Sequence, residues 1–380
     1  MDFSLSPEQE TFLASVRAFA RERVAPAAAH IDESGDYPRE LVTEAARLGL
    51  MGVTIPTESG GAGRDYVSYA LAVEAVALAS ATLSVILTVN NSLVAEPLRE
   101  YGTDAQKDQW LARLASGRAI GSFALSEAQA GSDAANQRTV AGFDNHGFVL
   151  SGTKVWVANA EAADVAIVFA ATEPGARGRG ISAFLVPMDA PGIRRTPSDS
   201  LGVRGLGCQD LEFHDVRVDA GALLGERDRG FRIAMRALEG GRVAIAAQAL
   251  GVGQAALDHA LAYSRQREVF GQPLGEFQAI QFQLADLATD LEAARMLTWR
   301  AADCKGRLPR VSVEAAMAKL QASEAAHRAA DRAMQILASA GYRRGSSIER
   351  LFRDVRAAEI YQGTSEVQRM IIAEHLLETR

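Results

Sequence analysis

One polar side chain occupies a predicted joint between two helices near the end of the chain. Residues 353–377 read RDVRAAEIYQGTSEVQRMIIAEHLL, and apolar residues recur at helical spacing on both sides of Gly363. Thr364 and Ser365 are suited to cap the second helix. Gln362 is therefore expected on a short turn between two rigid elements, where a side chain is well placed to meet a ligand. Its amide cannot accept a proton as a carboxylate does, and the alternative is an ordinary helix–turn–helix.

A second candidate is the segment FALSEAQAGSD at residues 123–133, at the end of the first predicted strand. The backbone N–H groups of a Gly-Ser pair, here Gly131 and Ser132, can cradle a carbonyl or a phosphate. The alternative is a polar loop without a ligand. Trp156 follows in GTKVWVANA on a predicted strand, where a tryptophan is usually part of the core.

Charged residues mark two further positions. Arg267 is expected at the end of a long helix, where an arginine either compensates the helix dipole or reaches a pyrophosphate with two hydrogen bonds. Glu239 and Arg242 lie one helical turn apart and could equally form a surface ion pair. None of these positions decides the function alone.

The elements that position these residues change character along the chain. Capping patterns at Ser6 and Gln9, and again at Thr103 and Gln106, open helices in the first part. Short β-rich runs then alternate with turn residues, and a hairpin turn is expected at residues 144–147.

Long helical patterns return in the last part, where two alanine-rich stretches favour close helix packing. These helices are predicted at residues 231–265, 277–305, 312–340 and 347–361. We therefore predict an α+β fold of three domains. They are an N-terminal helical domain at 1–119, a central β-domain at 120–228 and a C-terminal helical bundle at 229–380.

The composition of the 380 residues is that of a soluble globular protein, with 48% hydrophobic and 23% charged residues. A net charge of −7 argues against nucleic acid as the main partner. The two cysteines, Cys208 and Cys304, imply no disulfide framework and lack the spaced neighbours of a metal site. The N-terminus has no signal-peptide pattern and the apolar runs are too short for a bilayer, so we expect a cytoplasmic protein without a membrane contact.

Taken in order, the motifs resemble the acyl-CoA dehydrogenase family, and in particular its short-chain branch. The joint is similar to that family's signature IYEGT, and the resemblance extends over essentially the whole chain through GISAFLVPM, IAMRALEGGRVAIAAQALG, QFQLADLATDLEAARMLTWRAA and AAMAKLQASEAA. It implies an FAD-dependent oxidoreductase that dehydrogenates short-chain acyl thioesters between Cα and Cβ, with CoA or an acyl-carrier protein as the carrier. It also implies a homotetramer, FAD in a cleft completed by a neighbouring subunit, and an electron-transfer flavoprotein as the candidate electron acceptor.

The resemblance assigns roles to matching positions. Trp156 would flank the flavin ring, and Gln248 would line the acyl pocket and favour a short chain. The residues expected to contact FAD are Phe123, Leu125, Ser126, Gly131, Ser132, Trp156, Ala158, Arg267, Phe270, Gln278, Gln335, Ser339, Thr364 and Glu366. The residues expected to contact the acyl thioester and its CoA are Ser132, Glu239, Arg242, Gln248 and Gly363. No metal is implied.

The chain departs from the family pattern where the chemistry is expected. Gln362 stands at the position of the catalytic Glu that removes the α-proton. Some relatives carry their base one residue before Arg242 instead, and that position is Gly241 here. The other departures are Ala128, Gln129, Ala158, Ala338 and Ser339. Several departures around one cofactor favour natural divergence over a single engineered change.

Three functions fit this pattern. The first is dehydrogenation of a short acyl thioester, weakened by about a hundred- to ten-thousand-fold because a positioned base is missing. The second is different flavin chemistry on the same scaffold, such as reduction of an enoyl thioester or activation of oxygen. The third is an inactive homologue that binds a ligand or completes a mixed oligomer.

Overall fold

The computed structural model describes residues 4–378 and begins with a domain of helices. The first helix starts at the expected capping box, in which Gln9 N–H donates to Ser6 Oγ over 3.2 Å and Ser6 N–H donates to Gln9 Oε1 over 2.9 Å. The second capping box, at Thr103 and Gln106, is also confirmed. The helices are α1 (Pro7–Phe19), α2 (Ala25–Ser34), α3 (Arg39–Arg47), α4 (Tyr66–Ala77), α5 (Ala81–Thr88), α6 (Glu96–Tyr101), α7 (Asp104–Gln106) and α8 (Ala112–Ala115).

Among residues 4–378, three π-helical segments join neighbouring helices of this domain without a break. They are Ala20–Val24 between α1 and α2, Val89–Ala95 between α5 and α6, and Lys107–Leu111 between α7 and α8. The segment Val89–Ala95 is buried throughout and packs against the first strand of the next domain, so it connects the two domains through their cores.

Among the described residues the central domain forms one mixed sheet of eight strands. The strands are β1 (Gly121–Ala124), β2 (Val140–Asp144), β3 (Gly147–Val157), β4 (Val165–Ala171), β5 (Ile181–Pro187), β6 (Ile193–Pro197), β7 (Gln209–Asp219) and β8 (Leu223–Leu224). Their order is β6-β7-β3-β2-β4-β5-β8, and β1 pairs in parallel with β4. The expected turn at 144–147 is the β2–β3 hairpin, in which Asp144 pairs with Gly147.

The C-terminal domain is built on long helices. Its elements are α9 (Gly230–Gln266), β9 (Glu268–Val269), β10 (Gln272–Pro273), α10 (Gln278–Arg307), α11 (Ser312–Leu337), α12 (Ser347–Ala358) and α13 (Ser365–Glu378). Because the buried face of α11 is mostly alanine, α9 and α11 approach closely. A Cβ added at Gly253 on α9 would lie 3.0 Å from Ala326 Cα on α11.

The order of helices, β-sheet and helices confirms the predicted α+β fold. α8 ends at Ala115 and β1 begins at Gly121, while β8 ends at Leu224 and α9 begins at Gly230. The expected domain borders therefore fall between elements. Within residues 4–378, no helix has an apolar stretch long enough to cross a membrane, and no cluster of His, Cys, Asp and Glu could hold a metal ion.

Two residues in the middle of α12 tie the three domains together. Arg353 forms an ion pair with Asp32 of α2, with Nη2 2.6 Å from Oδ2, and its Nη1 donates to the Leu201 carbonyl in the β-domain over 3.2 Å. The neighbouring Asp354 carboxylate is buried and accepts the Val203 N–H over 2.6 Å. These contacts hold α12, and hence the joint that follows it, against both other domains.

Candidate functional site

The expected joint between two helices lies at residues 359–364. α12 ends at Ala358, α13 begins at Ser365, and Thr364 Oγ accepts the Val367 N–H over 3.3 Å as a cap. Gln362 and Gly363 both have left-handed backbone conformations, with φ of 54° and 97°. A non-glycine residue in that region costs about 1–2 kcal/mol, so the turn must be held by its surroundings.

Two buried cations hold the carbonyl groups of this turn. Arg242 Nε donates to the Gln362 carbonyl over 3.3 Å, and Lys319 Nζ donates to the Gly363 carbonyl over 2.7 Å. Gln368 Nε2 donates to the Gly363 carbonyl as well, over 2.8 Å. Because each peptide is planar and trans, the N–H groups of Gly363 and Thr364 point away from these cations. Neither N–H meets an acceptor among the described residues, so both remain available to a ligand.

Burial lowers the pKa of both cations. Lys319 is fully buried, and burial together with the nearby Arg242 charge lowers its pKa to about 7. Burial also lowers the pKa of Arg242 to about 10, an effect that the Glu239 carboxylate partly offsets. Lys319 was not singled out in the sequence. A signal exists, because it shares the buried face of α11 with Ala315 and Ala322 at helical spacing.

The Gln362 side chain fills a space that a glycine leaves open on α9. Its Oε1 is buried and has no hydrogen-bond partner among residues 4–378. A Cβ placed on Gly241 would lie 2.1 Å from that oxygen and 3.0 Å from Leu93 Cδ2. A side chain at position 241 and a long side chain at position 362 therefore exclude each other.

Glu239 and Arg242 do not form a surface ion pair, because both side chains are buried. Glu239 Oε2 accepts from Arg236 Nη1 over 2.5 Å, and its Oε1 accepts from the Ser312 hydroxyl. Arg242 instead turns toward the joint. Arg242 therefore contacts the Gln362 backbone, whereas Glu239 contacts Arg236 and Ser312.

Gln248 lies against Tyr361, the residue that precedes Gln362 in the joint. Tyr361 Oη donates to Gln248 Oε1 over 2.5 Å, and Gln248 is fully buried in the middle of α9. The Gln248 Nε2 has no acceptor among the described residues. One wall of the joint therefore carries an unused donor, which is suited to meet a polar atom or to close off a short apolar cavity.

The segment 123–133 is held by a buried ion pair that was not predicted. Lys154 Nζ lies 2.7 Å from Glu127 Oε1 and also donates to the Leu125 carbonyl over 3.1 Å. Glu127 accepts the N–H groups of Arg138 and Thr139 over 2.7 and 3.0 Å. Burial alone would raise the pKa of Glu127, but the Lys154 ammonium and these hydrogen bonds lower it to about 2. The signal for this ion pair in the sequence was a single charged residue in each of two β-rich runs that otherwise contain no charge.

The candidate cofactor residues of the β-domain lie on β1 and β3 and on the segments that follow them. Phe123 packs against Phe169 with ring centroids 4.9 Å apart and the rings tilted by 60°, and the Ser126 carbonyl accepts the Val155 N–H over 2.9 Å. Gly131 and Ser132 are exposed on the loop that follows.

Trp156 is not part of the core. Its side chain is 59% exposed, its φ is 57°, and its N–H donates to Asp210 Oδ1 over 3.0 Å. The core alternative for this tryptophan is therefore wrong. Ala158, two residues later, is half-buried and offers no hydroxyl.

Most of the remaining candidate cofactor residues lie on exposed ends of the long helices, whereas Thr364 lies in the joint and Glu366 on the first turn of α13 directly after it. Phe270, between β9 and β10, is 98% exposed and has a φ of 50°. The other exposed residues of this set are Arg267, Gln278, Gln335, Ser339 and Glu366. Ala338, at the end of α11, has φ 52° and ψ −130°, a conformation that favours glycine.

Comparison with known proteins places this architecture in a family. Residues 6–118 match the family model of the acyl-CoA dehydrogenase N-terminal domain, residues 122–216 that of the middle domain and residues 228–377 that of the C-terminal domain. The chain therefore belongs to the acyl-CoA dehydrogenase family.

Three individual relatives are similar to this chain over nearly its whole length. The mitochondrial short-chain specific acyl-CoA dehydrogenase of Bos taurus is 48% identical over 364 residues, which cover 96% of this chain and 88% of that protein. Butyryl-CoA dehydrogenase from Megasphaera elsdenii superposes with a TM-score of 0.97 at 40% identity, covering 99% of this chain and 100% of that one. A glutaryl-CoA dehydrogenase from Mycobacterium smegmatis in complex with FADH2 superposes with a TM-score of 0.93 at 32% identity, covering 98% of this chain and 95% of that one.

Proposed function

We propose that the chain is an FAD-dependent oxidoreductase acting on a short-chain acyl thioester, with Gln362 at the position of the base. The observation that carries this proposal is the Gln362 side-chain oxygen, which is buried without a partner in the described residues. An unpaired buried acceptor costs about 1–3 kcal/mol, so the position favours a ligand that turns a donor toward it. The acidified C–H next to a thioester carbonyl is a weak donor of this kind, which an amide oxygen can meet without removing the proton.

The residues present fit a flavin along the β-domain edge. Trp156 is exposed although it is large and apolar, and its backbone is fixed by Asp210, so it offers a rigid aromatic surface. The Glu127–Lys154 pair fixes the loop that carries Gly131 and Ser132. FAD, when bound, would accept the hydride from the β-carbon of the thioester. Ala158 contributes no hydroxyl to that site, and the backbone of Ala338 has a conformation suited to glycine. We therefore expect weaker FAD binding than in relatives with glycine at the position of Ala338.

The turn itself is suited to bind the thioester carbonyl. The N–H groups of Gly363 and Thr364 face away from Arg242 and Lys319, whose positive charges polarise the two peptides. Backbone donors held in this way stabilise negative charge that develops on a carbonyl oxygen. Because Gln362 cannot take the α-proton, we infer that dehydrogenation is slow, by about a hundred- to ten-thousand-fold relative to an enzyme with a positioned base.

Gln248 supports a short acyl group. It is fully buried behind Tyr361 in the middle of α9, and we propose that its amide forms the end of the acyl cavity. A polar side chain at the end of the cavity also penalises an apolar chain that would leave the amide unpaired.

We also propose a homotetramer in the cytoplasm that passes its electrons to an electron-transfer flavoprotein. Large apolar side chains that remain exposed in the single chain support an assembly. They include Phe270, Phe282, Tyr342, Met370 and Leu377. Light scattering of the purified protein tests the assembly, and a monomer would contradict it.

The proposed function is tested by restoring the carboxylate. Gln362→Glu changes the size of the side chain little and places a carboxylate, which can act as a base, where the amide oxygen now lies. We expect the variant to be bleached by butyryl-CoA under anaerobic conditions about a hundredfold faster than the wild type, with unchanged FAD content. The double variant Gln362→Glu/Ala158→Thr should be faster still, because it adds a hydroxyl near the flavin.

Three results would count against the proposal. If the wild type bleaches as fast as both variants, no base is missing at position 362. If none bleaches although all bind the ester, the pocket serves another reaction, and reoxidation of the reduced flavin by an enoyl thioester becomes the next measurement. A colourless protein that takes up no FAD would favour the inactive homologue.

A further inference from the structure

Helix α9 carries two adjacent glycines, Gly240 and Gly241, which we call the glycine pair. Glycine is unfavourable inside a helix relative to alanine, so two in succession indicate that the space beside them is needed. Both positions are buried, and each of the two spaces is filled by side chains from other parts of the chain. Gln362 fills the space beside Gly241, as described above.

The space beside Gly240 is filled by buried polar side chains that the candidate site does not include. A Cβ on Gly240 would lie 2.9 Å from Glu96 Oε2 and 3.5 Å from Lys305 Cε, and it would be nearer still to Tyr66 Oη. We call Tyr66, Glu96 and Lys305 the Glu96 cluster. All three side chains are buried, so a side chain at position 240 would displace them.

Charge and hydrogen bonding fix the geometry of the Glu96 cluster. Lys305 Nζ lies 2.7 Å from Glu96 Oε1, and the Tyr66 hydroxyl donates to Glu96 Oε2. Burial and the Glu96 charge raise the pKa of Tyr66 well above its usual value, so the phenol remains a donor. A buried ion pair is seldom more stabilising than well-packed apolar residues of similar size, which favours a geometric role for this one. The cluster joins α4, α6 and α10 to the face of α9.

Less than one helical turn separates the Glu96 cluster from the joint. Leu93 belongs to the π-helical segment Val89–Ala95, which continues directly into α6 at Glu96. Leu93 Cδ2 would lie 3.0 Å from a Cβ on Gly241, beside the space that Gln362 Oε1 fills. Leu93 and Glu96 therefore pack against neighbouring residues of α9, and a movement of one is transmitted to the other.

A second hydrogen bond holds the same segment on its other side. Ser92 Oγ and Tyr69 Oη lie 2.9 Å apart, and both side chains are buried. Tyr69 lies about one turn after Tyr66 on α4, so one helix holds the chain at two positions that flank Leu93. The Leu93 side chain therefore has little freedom to move away from Gln362.

We propose that Glu96 is a positioning residue for the side chain at position 362. Through its ion pair with Lys305 it holds Leu93 against that side chain, and so fixes where the side chain meets the α-carbon of the thioester. The inference rests on the proposed function, because the reacting carbon is that of the proposed substrate. A misplacement of about 1 Å can cost roughly a hundredfold in rate, so a positioning residue should affect the rate more than the affinity.

The test uses FAD-loaded Gln362→Glu as the background, since this variant is expected to be bleached by butyryl-CoA. Glu96→Gln/Lys305→Met removes both charges together, so no unpaired charge remains in the core, and the amide can still accept from Tyr66 Oη. Added to the background, this change should slow anaerobic bleaching at saturating butyryl-CoA by roughly ten- to a hundredfold. The ester concentration that gives half the maximal rate should change little.

Another ion pair provides a matched control. Glu74 Oε1 of α4 lies 3.1 Å from Arg295 Nε of α10, so this pair joins two of the helices that the Glu96 cluster joins. Glu74 packs against Gly251, which lies about 15 Å beyond Gly241 along α9. Glu74→Gln/Arg295→Met should therefore leave the bleaching rate of the background unchanged. Urea unfolding of both double variants shows how much each ion pair contributes to stability.

Tyr66→Phe is the second variant, because it removes only the hydroxyl that fills the space beside Gly240. It should slow bleaching in the same direction but less, since the ion pair remains. The proposal is overturned if neither Glu96→Gln/Lys305→Met nor Tyr66→Phe slows bleaching. It is also overturned if the control pair slows bleaching as much as the Glu96 pair does.

Failure of the proposed function is recognised separately. If the Gln362→Glu background is not bleached at all, the proposed thioester reaction is wrong. Crystal structures of the wild type and of Glu96→Gln/Lys305→Met then decide on the positioning alone. A displacement of Leu93 Cδ2 and Gln362 Oε1 by about 1 Å supports the proposal, and unchanged positions of both atoms overturn it.

Discussion

Gly241 on α9 and Gln362 in the joint face each other. Gly241 has no side chain, and the Gln362 side chain fills the space that this leaves. Sequence comparison with the family presents them as two separate departures, a missing base at each of two positions. In the structure they are one arrangement, since Gln362 Oε1 occupies the place of a side chain at position 241. The buried amide thus depends on the neighbouring glycine as much as on the turn that carries it.

Gly241→Ala should disturb the joint for this reason. The added Cβ would lie 2.1 Å from Gln362 Oε1, so the amide must leave its position, and overpacking of this kind costs about 1–3 kcal/mol. Adding Gln362→Gly should recover most of that loss, because it empties the contested space. Urea unfolding of the single and double variants measures the coupling.

The matched control is Gly306→Ala on α10, where an added Cβ meets no atom within 4 Å. There the higher helix propensity of alanine should raise the stability by up to about 1 kcal/mol. Equal effects of the two Gly→Ala changes would show that Gln362 does not occupy the space beside Gly241.

Lys319 should make thioester binding dependent on pH. Its pKa in the folded protein is about 7, so the amine is charged below that pH and neutral above it. The charged form polarises the Gly363 peptide more strongly, and binding of a thioester should therefore weaken as the pH rises through about 7. Lys319→Gln keeps a donor for the Gly363 carbonyl but removes the titration, so its affinity should be flat across this range.

Affinities of butyryl-CoA measured from about pH 6 to 8 decide the point. Lys107→Met, which changes a lysine far from the joint on the N-terminal domain, should keep the wild-type profile. A wild-type profile retained in Lys319→Gln would assign the pH dependence to another group.

At the scale of helices and strands, the sequence predicted those elements that local residue patterns encode. Capping boxes located the starts of α1 and α7, and helical periodicity located α9 to α12. The strand β6 was missed because its residues, IRRTP, are charged and mostly exposed and show no clear alternation. The π-helical segments were missed because one extra residue per turn leaves no mark in composition.

The candidate site was predictable only in part, and for a physical reason. Motif order located Gln362 on its turn, but the partners of that turn come from α9 and α11, which are distant in sequence. Lys319 and Lys154 look like solvated surface charges in the sequence, because only tertiary packing buries them. The left-handed conformations of Gln362 and Trp156 are likewise set by their surroundings, since neither residue type favours them.

Ala338 ends α11 in a conformation that glycine adopts with less strain, so Ala338→Gly should stabilise the protein. The strain on the alanine is about 1–2 kcal/mol, and the extra freedom of glycine in the unfolded chain returns about half of it. We expect a net gain near 1 kcal/mol in the free energy of unfolding, together with tighter FAD binding. The neighbouring Ser339→Gly is the control, since Ser339 has no left-handed φ and should only lose stability. A loss of stability in Ala338→Gly would contradict the proposed strain.

At the scale of the whole molecule, the three domains meet at the middle of α12. Arg353 joins α2 and the 201–203 segment of the β-domain, and Asp354 accepts from Val203, whose φ of 54° is unfavourable for a β-branched residue. The joint with Gln362 begins directly after this helix, which ends at Ala358. The position of the candidate site relative to the β-domain therefore depends on a junction of buried charges.

Asp354 should give this junction a measurable pH dependence. Burial raises its pKa in the folded protein to about 6, while the unfolded chain has the ordinary value of 3.8. Between these values the folded state binds more protons, so the contribution of Asp354 to stability is fully present below about pH 4 and is lost as the pH rises through about 6. The difference in free energy of unfolding between the wild type and Asp354→Asn should therefore shift by roughly 2 kcal/mol between about pH 4.5 and 6.5, in favour of the variant at the higher pH.

Asn retains an oxygen for the Val203 N–H, so the contact survives while the titration does not. The surface change Asp258→Asn should leave the pH dependence unaltered, and urea unfolding of the FAD-loaded protein across this range compares the three. Parallel curves for the wild type and Asp354→Asn would mean that the carboxylate is already ionised throughout, and that Arg353 and Arg350 neutralise it despite its burial.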